Sequence, residues 1–445
     1  MRPFLSQLEN RRPDLPLLVT ERGILKLSDL KPGPNKIMAQ SGDVVSARVA
    51  LSLHAPEALL AALAYLDGRA EAMLHISPTL PPKLVTGLVT AAGCNYLISD
   101  RDDLSGAAPL ETLASLSLRP ALRETEWIMT TSGTTGQPKM VRHCLSSLAR
   151  TVTPMADLAS RPVWGLTYEP TRFAGMQVLL QACLGEGVLV APKLGSDIGA
   201  ILNFFADHNC SHISATPTLW RRFLMHPNVA RLALSQITLG GEIVGQALLN
   251  ALVAQFPTAR ITHVYASTEA GVGFSVHDRR EGFPESIVAN PPKGVGIAIR
   301  EGRLWLRPES TASEYLGEQR LPRASDGFID TGDRVTWRDN RYIFLGRDTG
   351  TINIGGVKVN PEEIERVIAT LDGVAMVSVT AKSSSLVGAM VTAQIVSSGP
   401  VVDESAFLAR VFAYCRANLA REAVPATIRL VDRLVTNSAG KIQRN

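Results

Sequence analysis

The chain contains no long apolar run. No stretch of its 445 residues approaches the ~18 apolar positions that a membrane-crossing helix needs. Its first residues, Met1-Arg2-Pro3-Phe4, lack the apolar centre of a secretory signal. Net charge is small: 45 Lys and Arg against 41 Asp and Glu leave +4, with no basic block. Nucleic acid and acidic membrane surfaces are therefore not indicated as partners. Cysteine is scarce and scattered, at Cys94, Cys144, Cys183, Cys210 and Cys415. Without paired spacing these fit reduced thiols in a cytoplasmic protein better than a disulfide framework. There is no internal repeat and no low-complexity segment. No G-x-S-x-G elbow is present, so a Ser-His-Asp hydrolase is unsupported. His208, Cys210 and His212 alternate, but zinc spacing would want a further pair, and no metal site is expected there.

What is present is the size and rhythm of an α/β protein. The length exceeds what one core usually supports, so more than one domain is expected. Apolar runs alternate with helical ones: strand over 44–51, helix 56–66, strand 72–76, helix 82–92, strand 96–99. The alternation resumes with helix 146–158 and strand 163–167, then helix 176–184 and strand 188–191. Helix 198–207, strands 213–215 and 237–239, helix 245–255 and strand 261–265 follow. Alternation of this kind predicts mostly parallel sheets with flanking helices. Past Gly271, Gly- and Pro-rich turns separate short strands around 304–306 and 342–344, which predicts a β-rich module. From about 347 the order is strand 352–354, helix 361–371, strands 374–380 and 389–396, helix 404–418 and strand 428–431. That is an α+β pattern, and it predicts a small C-terminal domain over 347–445 behind a large N-terminal domain over 1–346.

The densest chemical signal is Thr130-Thr131-Ser132-Gly133-Thr134-Thr135-Gly136-Gln137-Pro138-Lys139. Seven of these ten residues are Thr, Ser or Gly. The preceding Trp127-Ile128-Met129 reads as the end of a buried strand. Glycines let a backbone approach an anion closely, and successive N–H groups form an anion-binding concavity. Hydroxyls add donors and Lys139 adds a positive charge. The spacing is not G-x-x-x-x-G-K-[ST], so this is a phosphate-holding loop of another kind.

Four further motifs follow in order: Tyr265-Ala266-Ser267-Thr268-Glu269, Asp330-Thr331-Gly332-Asp333-Arg334, Gly346-Arg347-Asp348 leading to Gly355-Gly356, and Ser438-Ala439-Gly440-Lys441-Ile442-Gln443-Arg444. Together with the loop they resemble the signature set of the acyl-adenylate-forming superfamily, over nearly the whole chain. That superfamily includes acyl- and aryl-CoA synthetases, peptide-synthetase adenylation domains and luciferases. The resemblance implies that Thr131, Ser132, Gly133, Thr134, Thr135, Gly136 and Lys139 grip the β- and γ-phosphates of ATP. It implies that Glu269 is a Mg²⁺ ligand, that Thr268 touches the α-phosphate and that Tyr265 stacks on adenine. Asp333 and Arg347 then hold the ribose. Lys441 is the catalytic lysine, bridging the attacking carboxylate and the α-phosphate. The resemblance also implies a pantetheine path at Gly355 and Gly356. It implies a mobile C-terminal domain that swings between two half-reactions.

The chain departs from the family pattern in places. Ala266 replaces a usual Gly beside the acyl pocket and should narrow it. The hinge position is Thr349, where Asp or Lys is common. Arg172, in Thr171-Arg172-Phe173-Ala174-Gly175, stands where many CoA ligases carry His. Two readings of Arg172 stand: a partner for a second anionic group on the substrate, or an ion pair with Glu169, the latter favoured. The Phe-Asp that holds an α-amino group in peptide-synthetase domains is absent, which argues against an amino-acid substrate. Tyr168, Phe173, Gly241, Gly271 and Phe274 are further candidates for the pocket lining. The implied activity is formation of an acyl-adenylate from a carboxylic acid and ATP, then transfer to a thiol. The chain ends just after the lysine motif, so the thiol is expected on CoA or on a separate phosphopantetheine-bearing carrier protein. A non-catalytic nucleotide-binding protein is the rival of another class.

Overall fold

In the computed structural model the described residues are 2–9, 11–30, 47–108, 124–131, 138–153, 161–308, 314–316, 323–347, 350–354, 357–384, 388–436 and 442. Two large sheets and a smaller antiparallel one make up most of the chain. The first sheet has eight strands in the order Gly271–Val276, Arg260–Ser267, Gln236–Gly240, His212–Ala215, Val163–Leu166, Val188–Val190, Pro16–Thr20 and Gly23–Lys26. Its six central strands run parallel and each edge strand is antiparallel. The second sheet has the order Glu314–Tyr315, Met140–Cys144, Glu126–Thr130, Ala72–His75, Arg48–Ser52 and Tyr96–Ser99. Its 72–75, 48–52, 96–99 and 126–130 strands are parallel neighbours. The expected mostly parallel α/β architecture is present.

The two sheets share one apolar core. Helix Phe173–Leu184 lies in it and is apolar on nearly every face, as a helix covered on all sides must be. Gly175 lets this helix start hard against the preceding loop: a Cβ there would lie 2.2 Å from the Glu169 carbonyl oxygen. Its C-terminal end is closed by Arg11, which donates to the carbonyls of Cys183 and, beyond the helix, Gly187 at 2.5 and 2.6 Å. A cation at this end satisfies carbonyls left without helical partners. Burial lowers the Arg11 pKa, which the Glu186 carboxylate 3.7 Å away opposes. Helix Pro56–Leu66 opens on a proline, whose missing N–H is no loss in a first turn. It stops at Asp67, which accepts from Trp127 Nε1 at 2.8 Å and Phe4 N at 2.7 Å.

The third sheet is antiparallel, in the order Phe283–Pro284, Arg341–Arg347, Ile329–Arg338, Arg303–Pro308 and Val295–Arg300. This is the expected β-rich module. Past residue 350 the chain builds a separate core around Ile364, Val379, Val391, Ile395 and Val411. It comprises strands Val374–Ser384, Gly388–Ser397 and Thr427–Leu430 with helices Pro361–Ile368 and Glu404–Asn418. Strands Ile352–Ile354 and Val357–Val359 pair antiparallel with Ile354 opposite Val357. Gly355 and Gly356, between them, lie outside the described residues.

Some expectations need correction. Of the helix expected over 146–158, the described part is one turn, Leu145–Leu148, and 154–158 lie outside the described residues. Residues 151–153 are not helical. Thr151-Val152-Thr153 is a β-branched run ahead of Pro154, and both features disfavour helix. Helix Pro217–Leu224 and the hairpin Pro16–Thr20/Gly23–Lys26 were not anticipated. The strand expected over 44–51 is described from Arg48. Among the described residues no helix is long and apolar enough to cross a membrane.

Candidate active site

The loop after strand Glu126–Thr130 and the turn after strand Arg260–Ser267 both lie at the C-terminal ends of parallel strands, the rim where open α/β sheets generally bind ligands. Strand Glu126–Thr130 runs out into the Thr131–Lys139 loop and the chain returns as Met140–Cys144. The neck of the loop is pinched shut. Thr131 N donates to the Lys139 carbonyl at 2.9 Å, and Lys139 N donates to Thr131 Oγ1 at 3.1 Å. Ser132, Gly133, Thr134, Thr135 and Gly136 lie outside the described residues, as do Thr349 and Lys441.

Thr268 and Glu269 occupy the turn that joins strands Arg260–Ser267 and Gly271–Val276. The turn is held locally by Ala270 N donating to Ser267 Oγ at 3.0 Å. Two side chains reach it from the second sheet. His143 Nε2 donates to the Thr268 carbonyl at 2.8 Å. Tyr315 donates its hydroxyl to Glu269 Oε1 at 3.3 Å, and Lys139 Nζ lies 4.9 Å from the centroid of the Tyr315 ring. Burial, then the Glu269 carboxylate, raises the Tyr315 pKa, so the hydroxyl stays protonated. Burial lowers His143 to about 4, so its imidazole is neutral and the Nε2 proton is the one donated.

Asp333 and Arg347 face each other across strands Ile329–Arg338 and Arg341–Arg347. Arg347 Nε donates to Asp333 Oδ1 at 3.0 Å. The adjacent Asp333 charge raises the Arg347 pKa, with Glu269 among the smaller contributions. Tyr265 donates its hydroxyl to the other Asp333 oxygen. Burial, then Asp333, raises the Tyr265 pKa. The Tyr265 ring stacks on Phe274 at 5.3 Å and Phe344 at 5.4 Å, with interplanar angles of 12° and 4°. Within Asp330-Thr331-Gly332-Asp333 the two carboxylates separate. Asp330 pairs with Arg303 at 2.9 Å and caps Gly332 N, whereas Asp333 is aimed at Tyr265 and Arg347.

The expected acyl pocket is more mixed. Tyr168 directs its hydroxyl to the Gly240 carbonyl at 3.5 Å, next to Gly241, whose φ of 82° favours glycine. Gly271 also has positive φ and open space where a Cβ would stand. A β-bulge separates Tyr265 from Ala266, which packs against the core of the two large sheets. Phe173 is buried in that core and tilts against His143 at 5.7 Å. Phe274 is 3% exposed in the core of the third sheet, so it packs the fold instead of lining a pocket. Arg172 lies 3.6 Å from Glu169, whose buried carboxylate also accepts from Ser77 at 2.8 Å and Thr171 at 2.5 Å. The ion pair is the reading of Arg172 that the geometry contains.

A family model described as AMP-binding enzyme matches residues 39–315. A second, the AMP-binding enzyme C-terminal domain, matches residues 363–441. The chain belongs to the AMP-binding enzyme family. Its 26% identity over 366 residues to the 3-[(3aS,4S,7aS)-7a-methyl-1,5-dioxo-octahydro-1H-inden-4-yl]propanoyl:CoA ligase of Rhodococcus jostii (strain RHA1) spans 78% of this chain and 70% of that one. It is 27% identical to the 2-succinylbenzoate–CoA ligase of Listeria monocytogenes serotype 4b (strain F2365), over 80% of this chain and 75% of the other. Two solved structures share the fold. The anthranilate CoA ligase AuaEII in complex with anthranoyl-AMP matches at a TM-score of 0.78 and 16% identity, covering 99% and 94% of the two chains. ATP-bound MatB from Rhodopseudomonas palustris matches at 0.76 and 20%, covering 99% and 97%.

Two residues of this AMP-binding enzyme that touch the Thr268–Glu269 turn, His143 and Tyr315, belong to none of the quoted motifs. His143 sits 125 positions from Thr268 and Tyr315 sits 46 from Glu269. Only the pairing of strand Glu314–Tyr315 with Met140–Cys144 brings them together. The alternating His208, Cys210 and His212 gather no metal set. His208 bonds the Phe204 carbonyl, His212 bonds Ser211, and no cluster of three His, Cys, Asp or Glu exists among the described residues.

Proposed function

We propose that the protein activates a carboxylic acid with ATP and passes the acyl group to a thiol, CoA being the first acceptor to test. The observation that carries this reading is the Lys139–Tyr315–Glu269 chain of contacts, which ties the hydroxyl-rich loop to a carboxylate at one spot on the rim. A carboxylate and a nucleotide triphosphate repel each other, so the site must supply positive charge and fixed donors where they meet.

In the first step a carboxylate oxygen attacks the α-phosphorus. The bond to the β-phosphate breaks and pyrophosphate leaves. The loop from Thr131 to Lys139 takes the β- and γ-phosphates. Asp333, fixed between Tyr265 and Arg347, accepts from the ribose hydroxyls. Tyr265 spends its hydroxyl on Asp333 and stacks on two phenylalanines, so its contribution is to fix the ribose carboxylate, in place of the expected adenine stacking. Lys441, carried over from the family pattern, bridges the two reactants while charge develops. In the second step the thiol sulfur attacks the acyl carbon, its proton is lost and AMP leaves. Gly355 and Gly356 then leave the backbone bare for a pantetheine arm.

The site's donor chemistry fits Mg²⁺. One carboxylate, Glu269, stands at the loop, and Mg²⁺ commonly takes one or two carboxylates with the rest of its shell from phosphates and water. Bound there it would neutralise phosphate charge. The acid is proposed to carry a ring, since the two named ligases and AuaEII act on ring-bearing acids. The missing Phe-Asp argues against an amino acid.

ATP–pyrophosphate exchange over a panel of ring-bearing carboxylic acids tests the first step. The active acid is expected to give exchange, and hydroxylamine should trap its adenylate. Free CoA and a pantetheinylated carrier protein, offered to the preformed adenylate, then separate the two acceptors. Nucleotide binding with no exchange for any acid would favour the non-catalytic reading.

A further inference from the structure

The turn that carries Glu269 belongs to the first sheet, and the phosphate loop belongs to the second. An apolar core joins the two sheets. Apolar packing sets a spacing but is non-directional, so it does not aim a carboxylate. Directional bonds across the gap do. His143, the fourth residue of the strand that follows Lys139, donates to the carbonyl of Thr268 at 2.8 Å. It is 4% exposed and lies against the Phe173 ring, which limits its rotamers. Tyr315 is held opposite Val141 on that same strand. From there its hydroxyl reaches Glu269 and its ring faces Lys139. One bond grips the backbone just before Glu269 and the other grips the carboxylate. The first originates from the strand that leaves the phosphate loop and the second from the strand paired with it.

We propose that His143 and Tyr315 are positioning residues that hold Glu269 in register with the phosphate-loop hairpin. This rests on the reading of the rim as a Mg·ATP site. Partners that orient a metal-binding carboxylate typically matter by about 10–100-fold in metal affinity or activity. Their loss should therefore act on the metal-dependent part of nucleotide binding, and less on the rest.

The test compares ATP affinity with Mg²⁺ and with EDTA, by calorimetry, for wild type, His143→Leu, His143→Gln and Tyr315→Phe. Gln places an amide N–H near the Nε2 position, so it preserves the donor. His143→Leu and Tyr315→Phe are each expected to weaken Mg·ATP binding about 10-fold. Affinity in EDTA should stay within about 2-fold, and His143→Gln should recover most of the loss. Melting temperatures report folding separately. Equal losses with and without Mg²⁺, or a Gln variant no better than Leu, would overturn the proposal. So would an unchanged Mg²⁺ increment. A wild type that binds Mg·ATP but exchanges pyrophosphate with no acid would sink the ligase reading alone, because the binding comparison still reads the brace. A wild type that binds no nucleotide would overturn both.

Discussion

The C-terminal domain and the rim proposed to hold the nucleotide are attached to the rest of the molecule in different ways. The rim is stitched across three sheets by directed bonds: His143 to Thr268, Tyr315 to Glu269, Tyr265 to Asp333, Arg347 to Asp333. The C-terminal domain has its own core and meets the rest along helix Pro361–Ile368 and strand Val374–Ser384. There the contacts include charged groups. Arg366 lies 3.7 Å from Glu281, which Arg338 also engages at 2.8 Å, and Glu365 adds to the field at Arg221. Gly346 has φ +117°, and a Cβ there would stand 2.5 Å from Glu362 Oε2. Polar interfaces of this kind are typical of domains that move. A fixed rim can hold one geometry for phosphate chemistry, while a loosely held domain can exchange one face for another.

The sharpest way to break that comparison is to disable separately each of the two faces proposed for the C-terminal domain. Lys441→Ala is expected to lower adenylate formation by about 10²–10³, the usual effect of losing one contact to developing charge. Transfer from chemically supplied acyl-adenylate to the thiol should survive. Gly356→Trp should reverse the pattern by obstructing the pantetheine path. Single-turnover assays of each half-reaction read both variants. If both substitutions depressed the two steps equally, the domain would have one working face and the contrast with the rim would fail.

On the rim itself, Glu269→Gln replaces one carboxylate oxygen by an amide nitrogen, a poor partner for a hard cation. About 10–100-fold weaker use of Mg·ATP is expected, most evident at limiting Mg²⁺. A pyrophosphate-exchange titration in Mg²⁺ checks it. Wild-type activity at limiting Mg²⁺ would remove Glu269 from the metal role.

Much of this was legible before any coordinates. The parallel sheets announced themselves because buried strands such as Val49–Leu51 and Ala72–Leu74 are continuous apolar runs separated by helices. The chemical motifs were legible because each is local: Thr268 and Glu269 are neighbours, and Asp333 lies within the short run Asp330-Thr331-Gly332-Asp333. His143 and Tyr315 were not, because their meaning lies in the pairing of two strands far apart in sequence. Helix Pro217–Leu224 was missed although Thr216 caps it and Pro217 opens it. Its two arginines interrupt the apolar signal. Phe274 shows the opposite error: an aromatic near a pocket motif is more readily noticed as lining than as core.

Tyr265→Phe asks what the aromatic beside Asp333 is for. A hydrogen bond to a charged group contributes about 1.5–3 kcal/mol, so its loss should raise the KM for ATP by about 10-fold or more. The KM for the acid should hardly change. Phe keeps the ring, so an unchanged KM for ATP would return the residue to adenine stacking.

The smallest effect is expected at the domain contact. Arg366 and Glu281 are 26% and 13% exposed, and partly exposed ion pairs contribute about 0–1 kcal/mol. Arg366→Gln should therefore leave the fold intact and change the balance between domain orientations by no more than about 5-fold. The ratio of adenylate formation to thiol transfer should move, while the KM for ATP stays fixed, because no rim residue is touched. Salt provides the matching control, since it screens charges that water reaches. Raising ionic strength should push the wild-type ratio in the direction the substitution does, and should move the variant less. A variant with the wild-type ratio and the wild-type salt response would mean that Arg366 is not among the groups that hold the domain. The burden would then fall on Glu365 and Arg221, and Arg221→Gln would be the next substitution to measure.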